Sequence, residues 1–310
     1  MTRLKTPDDP QHPRISKGEG YNDDKPTAET RTLQAGIYIV ATPLGNIRDI
    51  TLRTLEILRT ADLVLCEDTR VSRKLLTHYG ITTPLKAFHD HNESKMIPSL
   101  LARLREGKSL ALISDAGTPL ICDPGYKLVR AAIAEDIPIT ALPGPSAAIN
   151  ALILSGLPNH CFFFAGFMPA KSAVRLRDLE SLRHIPATLI FYESPQRLQE
   201  TLEDLREHFL TRQIVVAREM TKKFEEVIRG SLMSVTDHFS KNPARGEIVL
   251  LIGPPAQEDN LWIEENLTHA LETALKKSGL KEAVLEVSAL SGVPRKIVYQ
   301  KALDIQEKSR

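Results

Sequence analysis

Residues Gly36–Ala41 read GIYIVA and run directly into Thr42-Pro43-Leu44-Gly45-Asn46. A short apolar, β-prone run closed by small residues and proline has the form of a buried strand that delivers a loop. Outward from this stretch the same unit recurs. Thr51–Thr60 carries Leu52, Leu55 and Leu58 at helical spacing, and an apolar run follows at Asp62–Cys66. Ile97, Leu100, Leu101 and Leu104 mark an amphipathic helix that stops at Gly107, and strands are predicted at Ser109–Ser114 and Ile137–Leu142. After Ser155-Gly156-Leu157-Pro158 the alternation restarts, with strands near Cys161–Ala165, Ala187–Glu193, Gln213–Ala217 and Glu247–Ile252. Strands alternating with helices predict an α/β protein with crossover helices, which binds ligands at the carboxyl ends of its strands.

The 310 residues suffice for two domains, and the expected division is a disordered tail over 1–35, αβα domains over 36–157 and 158–254, and a helical extension over 255–310. The tail is polar, contains Pro7, Pro10, Pro13 and Pro26, and lacks the apolar core of a signal peptide. In the extension, Leu280–Leu290, the turn Ser291-Gly292-Val293 and Pro294–Leu303 outline a helix-turn-helix, a pattern also met in plain helical appendages. Charged residues at 25% and a net charge of +1 describe an ordinary globular protein with no global pull toward nucleic acid. Cys66, Cys122 and Cys161 are odd in number and lack C-x-x-C spacing, so neither a disulfide framework nor a zinc knuckle is expected, and a cytoplasmic location fits. No apolar run is long enough to span a membrane.

Four strand ends share one composition: Thr42-Pro43-Leu44-Gly45-Asn46, Asp115-Ala116-Gly117-Thr118-Pro119, Pro143-Gly144-Pro145-Ser146-Ala147 and Glu193-Ser194-Pro195. Small residues let backbone approach a ligand and prolines restrict the loop, which together build a preformed cleft. Helix capping accounts for Ser146, Ser194 or Asp123-Pro124-Gly125 one at a time, but not for the shared composition. Known fingerprints are absent. No G-x-G-x-x-G follows the first strand, Gly107-Lys108-Ser109 precedes a strand and is a helix stop, and Gly144-Pro145-Ser146-Ala147-Ala148 lacks the second glycine of a nucleophile elbow. His89 and His91 could face one side of an extended segment, but no cysteine joins them and no metal is expected.

The segments ATPLGNIRDI (Ala41–Ile50), CEDTR (Cys66–Arg70), SDAGTPLICDPG (Ser114–Gly125), PGPSA (Pro143–Ala147), YESPQRL (Tyr192–Leu198) and AREMTKKFEE (Ala217–Glu226) occur in the order seen in the small-subunit ribosomal RNA methyltransferase I family, within the tetrapyrrole-methylase superfamily. The resemblance covers roughly residues 36–253. It implies two αβα domains, S-adenosylmethionine in the cleft between them, a homodimer, and 2′-O-methylation of a cytidine in the decoding region of small-subunit ribosomal RNA. Carried over by motif, the cofactor would meet Pro43, Leu44, Gly45, Asp115, Ala116, Gly117, Thr118, Ser146 and Ala147 from the first domain, and Tyr192, Arg245 and Gly246 from the second. Gln196 stands where the family frequently has histidine, so that position is not expected to supply an essential base.

Methyl transfer to a hydroxyl needs in-line orientation and a proton acceptor. Glu67, Asp68, Glu193, Glu219 and Lys222 are the candidates, and the sequence leaves the choice among them open. RNA needs phosphate contacts, which fix register; local basic groups at Arg48, Arg70, Arg73, Lys74, Lys171 with Arg175 and Arg177, and Arg218 are the candidates. Two rival readings share these features: a small-molecule tetrapyrrole methyltransferase, and a nucleic-acid regulator whose α/β body senses a ligand.

Overall fold

The computed structural model describes residues 33–255, 260–291, 293 and 295–308. Residues 1–32 of the tail expected over 1–35, and the turn residues Gly292 and Pro294, lie outside them, whereas Leu33 packs against the core of the first sheet.

The first sheet holds β1 (Gly36–Val40), β2 (Leu63–Cys66), β3 (Leu85–Ala87), β4 (Ser109–Ile113) and β5 (Ile139–Leu142) in the order β3-β2-β4-β1-β5, every pair parallel. Parallel neighbours require crossovers, and these are α1 (Leu52–Thr60), α2 (Thr69–His78), α3 (Glu93–Arg105) and α4 (Tyr126–Ile133). The period of two along β4 decides which helix meets which face. Leu110 and Leu112 pack with Leu100, Leu101 and Leu104 of α3 and Leu128 of α4, whereas Ala111 and Ile113 pack with Ile57 and Leu58 of α1 and Leu76 of α2. Gly107, at φ +85, ends α3 before β4.

Because β4 inserts between β2 and β1, the chain leaves β1 toward one side of the sheet and leaves β4 toward the other. That is a topological switch point, where the crevice of an open α/β sheet forms. The loops after β1 and β4 are pinned together there: Thr42 N–H donates to Gly117 O at 2.9 Å, and Gly117 N–H donates to Thr42 O at 3.0 Å.

After α5 (Ala147–Ser155) the second sheet contains β6 (Phe162–Phe167), β7 (Thr188–Glu193), β8 (Gln213–Arg218), β9 (Glu226–Ser231) and β10 (Ile248–Ile252), with α6 (Ser172–Leu182), α7 (Leu198–Asp204), α8 (Arg206–Phe209) and α9 (Leu232–Lys241) between them. Its order is β6-β7-β10-β8-β9. Only β6 and β7 pair in parallel; β10 is antiparallel to both β7 and β8, and β9 to β8. The carboxyl ends of β7 and β8 therefore share an edge with the amino ends of β10 and β9, so that Ile248 pairs with both Glu193 and Arg218. One face packs on α6 to α9 through Leu179, Leu202, Phe209 and Val235, and α5 covers the other through Ala148, Ala151 and Leu152. In the extension, α10 (Asn260–Leu275), α11 (Leu280–Ser291) and α12 (Arg295–Lys308) share a separate core built on Leu271, Val287, Val298 and Ala302. Among the described residues no helix is long and apolar enough to cross a membrane.

Candidate active site

Between the two strand-end edges lies a cleft of about 400 Å³. Three loops of the first sheet form one wall and are fastened to one another. Ser114 Oγ donates to Gly117 O at 3.1 Å, and Thr118 Oγ1 donates to Pro145 O at 2.8 Å, tying the β4 loop to the β5 loop. Gly117 adopts φ +80, and a side chain there would approach Leu44 Cδ2 at 3.1 Å. Leu120 and Cys122, at φ +71 and +66, are held in a conformation that costs side-chain-bearing residues of order 1–3 kcal/mol each and is concentrated at functional sites. The second wall presents Tyr192, Met220, Gly246 and Val249. Edge-to-face contacts of Tyr192 with Phe164 and Phe167, at 5.0 and 5.4 Å, fix its ring.

The cleft is negative. Glu67, directly after β2, has its carboxyl pushed above the usual range by burial and then by the charges of Asp115 and Asp90. Burial likewise raises Asp115, which accepts the Asp68 N–H at 3.2 Å. Asp123 is pushed from 3.8 to about 6 by burial first and Glu67 second, with a bond to Ser114 acting in the opposite sense. Crowded carboxylates of this kind favour a proton or a cationic ligand. The Tyr192 hydroxyl, driven by burial to about 12, does not exchange protons near neutrality.

The Asp123 shift has a consequence for stability. Its folded-state value lies above the unfolded one, so the cost of the ionised carboxylate appears as pH rises from about 4 to about 6 and is present in full above that window. Asp123→Asn is expected to melt within error of the parent near pH 4 and roughly 2–5 °C higher at pH 7.5, read by thermal unfolding at both values. A difference that is equal at the two pH values would contradict it.

The expected site residues separate by position. Leu44, Glu67, Asp115, Ala116, Gly117, Thr118, Ser146, Ala147, Tyr192, Glu193 and Gly246 line the cleft; Pro43 and Gly45 flank Leu44 without forming its wall, and Arg245 lines a neighbouring cavity. Asp68 is turned away, capping α2 through Arg70 N–H at 2.8 Å and pairing with the Arg70 guanidinium at 2.6 Å, which hold its carboxyl at about 2. Glu193 is buried and committed: it accepts Ser194 N–H at 2.6 Å, Thr201 Oγ1 at 2.6 Å and Arg197 at 2.8 Å. Lys222 Nζ lies 3.0 Å from both Glu219 and Glu247, and its stem crosses Gly45 so closely that a methyl group there would collide with it. Glu219 and Thr221 reach this arrangement at φ +50 and +65, and Thr221 Oγ1 accepts Asn46 N–H at 3.0 Å. The Glu219–Lys222 segment thus clasps the loop after β1, and of its residues Met220 lines the cleft while Glu219 and Lys222 do not.

Among the basic residues, Arg70, Arg73 and Lys74 line a shallow depression on α2, and Arg48 and Lys171 are exposed. Arg218 is paired with Glu226 at 2.6 Å. Arg175, grouped with Lys171 by sequence, is fully buried; it pairs with Asp204 at 2.6 Å and donates to Pro169 O, which removes it from any RNA surface. Asp123 does not cap α4: Gly125 occupies the N-cap, and Asp123 lines the cleft. The substitute comes from another helix: the buried Glu93 carboxylate accepts Gly125 N–H at 3.2 Å and Lys127 N–H at 3.1 Å. Phe167, Met220 and Val249 of the cleft had no local signature, since each is an ordinary apolar residue in a strand or loop.

A parallel sheet and a mixed sheet facing each other across an acidic, strand-end cleft define a two-part methylase class. The signature described as Tetrapyrrole (Corrin/Porphyrin) Methylases matches residues 36–236. Uroporphyrin-III C-methyl transferase from Thermus thermophilus, solved in complex with S-adenyl homocysteine, superimposes at a TM-score of 0.50 with 19% identity, over 70% of this chain and 97% of that one. Ribosomal RNA small subunit methyltransferase I of Mesorhizobium japonicum is 45% identical over 90% of this chain and 95% of its own length, and that of Escherichia coli O157:H7 is 45% identical over 88% and 96%. The chain belongs to the tetrapyrrole methylase family, and within it to the family of ribosomal RNA small subunit methyltransferase I.

Proposed function

We propose that the protein methylates the ribose 2′-oxygen of a cytidine in small-subunit ribosomal RNA, using S-adenosylmethionine. The observation that carries this reading is a carboxylate-lined cleft in a chain 45% identical, over nearly its whole length, to ribosomal RNA methyltransferases. When bound, S-adenosylmethionine supplies an electrophilic methyl group on a cationic sulfur. The cleft suits it: Asp115 and Asp123 offset positive charge, Gly117 leaves space that a side chain would fill, and Ala147, Tyr192 and Val249 offer apolar and aromatic surface.

Of the candidate bases, Glu67 alone combines a place on the cleft wall with a carboxylate that no ion pair engages among the described residues. It accepts the hydroxyl proton as the ribose oxygen takes the methyl group, and its raised pKa makes it a better acceptor than an ordinary carboxylate. Arg48, Arg70, Arg73, Lys74 and Lys171 hold phosphates, which explains RNA binding at a net charge near zero. A homodimer belongs to the same proposal. Ile149 and Ile153 of α5 and Phe162 and Phe163 of the edge strand β6 are apolar, exposed and available for a second copy to cover.

The test is mass-spectrometric mapping of ribosomal RNA from cells lacking the protein. One 2′-O-methylcytidine of the small subunit should disappear and return when the gene is restored. An unchanged inventory sinks the acceptor, and transfer to a reduced tetrapyrrole instead would favour the small-molecule reading.

A further inference from the structure

At one place along the cleft its two walls touch. Cys122, in the loop after β4, sets its sulfur against the Phe167 N–H of β6, and a side chain on Gly166 would begin 3.2 Å from that sulfur. Ile121 precedes Cys122 and Phe167 follows Gly166, so the two issue from this contact, one from each wall. Both line the cleft, and both are large apolar side chains left open to solvent, Ile121 by 42% and Phe167 by 59%.

Each is displayed by irregular backbone. Ile121 is flanked by Leu120 and Cys122, the two residues of its loop held at positive φ. On the opposite wall β6 carries a bulge: Phe164 pairs with Ile190 and Phe167 with Tyr192, three steps along one strand against two along the other. In regular register Phe167 would fall opposite Glu193 and face the other side of the sheet. The extra residue brings it to the face of Tyr192 and so into the cleft, with Gly166 at φ +72 taking up the bend. Single exposed apolar residues are ordinary on a protein surface. Two that separate irregularities turn into one cleft are not, and neither belongs to a core cluster of its sheet.

The cofactor has apolar surface of its own elsewhere in the cleft, where Leu44, Met220 and Val249 are buried. The exposed pair lies on the side of Glu67: of the charged groups around Asp123, the residue after Cys122, Glu67 acts on it most strongly. A flat base needs apolar surface on both faces, and enzymes that act on one nucleotide hold its base between aromatic and apolar side chains. We propose that Ile121 and Phe167 form the slot for the base of the acceptor cytidine, with the Phe167 ring on one face and Ile121 on the other, which brings its ribose to Glu67. The proposal rests on RNA being the acceptor. The edge-to-face contact with Tyr192, at 5.4 Å, holds the Phe167 ring in place for stacking. An apolar slot also admits a neutral base to an acidic cleft while the phosphates, which the carboxylates repel, stay outside.

The test uses the full-length protein, small ribosomal subunits from cells lacking it, and S-adenosylmethionine. Steady-state methyl transfer gives KM for the subunit, calorimetry the cofactor Kd, thermal unfolding Tm, and sedimentation the oligomeric state. Phe167→Leu keeps apolar surface but removes the ring, and should raise the subunit KM about tenfold while the cofactor Kd stays within about twofold. Phe167→Trp restores a ring and should hold KM within about threefold of the parent. Ile121→Ala should raise the subunit KM about fivefold. Tm should move by less than about 2 °C in all three, because neither side chain belongs to a core. A weakened cofactor Kd in Phe167→Leu would give the slot to the cofactor, and a changed oligomeric state would give it to a subunit interface. An unmoved subunit KM in both Phe167→Leu and Ile121→Ala would overturn the proposal alone. If the parent protein itself leaves the subunits unmethylated, the functional reading falls and this proposal with it.

Discussion

Glu67→Gln should leave S-adenosylmethionine binding nearly intact and lower kcat for methyl transfer by about 10²–10⁴-fold, the span typical of lost general-base assistance. Glutamine keeps the size and polarity of the side chain but cannot take a proton. The other candidates are already engaged: Asp68 by Arg70 and its own helix, Glu193 by Arg197, Thr201 and Ser194, and Glu219 by Lys222. The pH profile adds a check independent of rate loss. Glu67 must be ionised to act, so kcat rises as pH passes upward through its pKa, which burial and neighbouring charges hold above the usual carboxylate value. Asp115→Asn removes one of those negative neighbours, makes ionisation easier and moves the acid limb to lower pH. Stopped-time assays with purified subunits measure both effects. Activity within a few-fold of the parent in Glu67→Gln would take the proton-transfer role away from this residue.

Gly117→Val is expected to abolish measurable cofactor binding, a loss of more than about 100-fold in Kd by calorimetry. Two effects add. A β-branched residue at φ +80 is strained by roughly 1–3 kcal/mol, and its side chain begins 3.1 Å from Leu44 Cδ2 at the switch point where the loops after β1 and β4 are hydrogen-bonded together. Relief requires one of those loops to move, and both form the cleft wall. Melting should fall by only several degrees, because Gly117 belongs to neither core cluster of the first sheet. Unchanged binding would show that the loop after β4 does not reach the cofactor.

How much of this was legible in the sequence follows from the range of the interactions involved. Apolar period and turn chemistry are local, so the strands from GIYIVA onward, the helix stop at Gly107 and the four glycine- and proline-rich strand ends could be read directly, as could the motifs that point to the family. β3 and β9 could not. β3 has three residues, and β9 reads EVIRGS, too polar to announce a strand. Their existence depends on partners remote in sequence, β2 and β8. The orientation of β10, antiparallel between β7 and β8, had no local signal either, since it is set by those remote partners.

The same division runs through the site. The sequence by itself determined which loops end at the cleft, since a loop that follows a strand of a parallel sheet must emerge at its carboxyl edge. Only the tertiary structure decided what each charged side chain does there. Nothing local distinguishes Glu67, open to the cleft, from Asp68 one residue later, capping a helix. Nothing local turns Arg175 inward onto Asp204, lifts Asp123 out of a cap and into the wall, or sends Arg245 and Gly246 into adjoining cavities. A carboxylate or guanidinium takes its protonation, its partners and its role from burial and from charges that other segments bring within a few ångströms, and those distances are set by the packing of the two sheets.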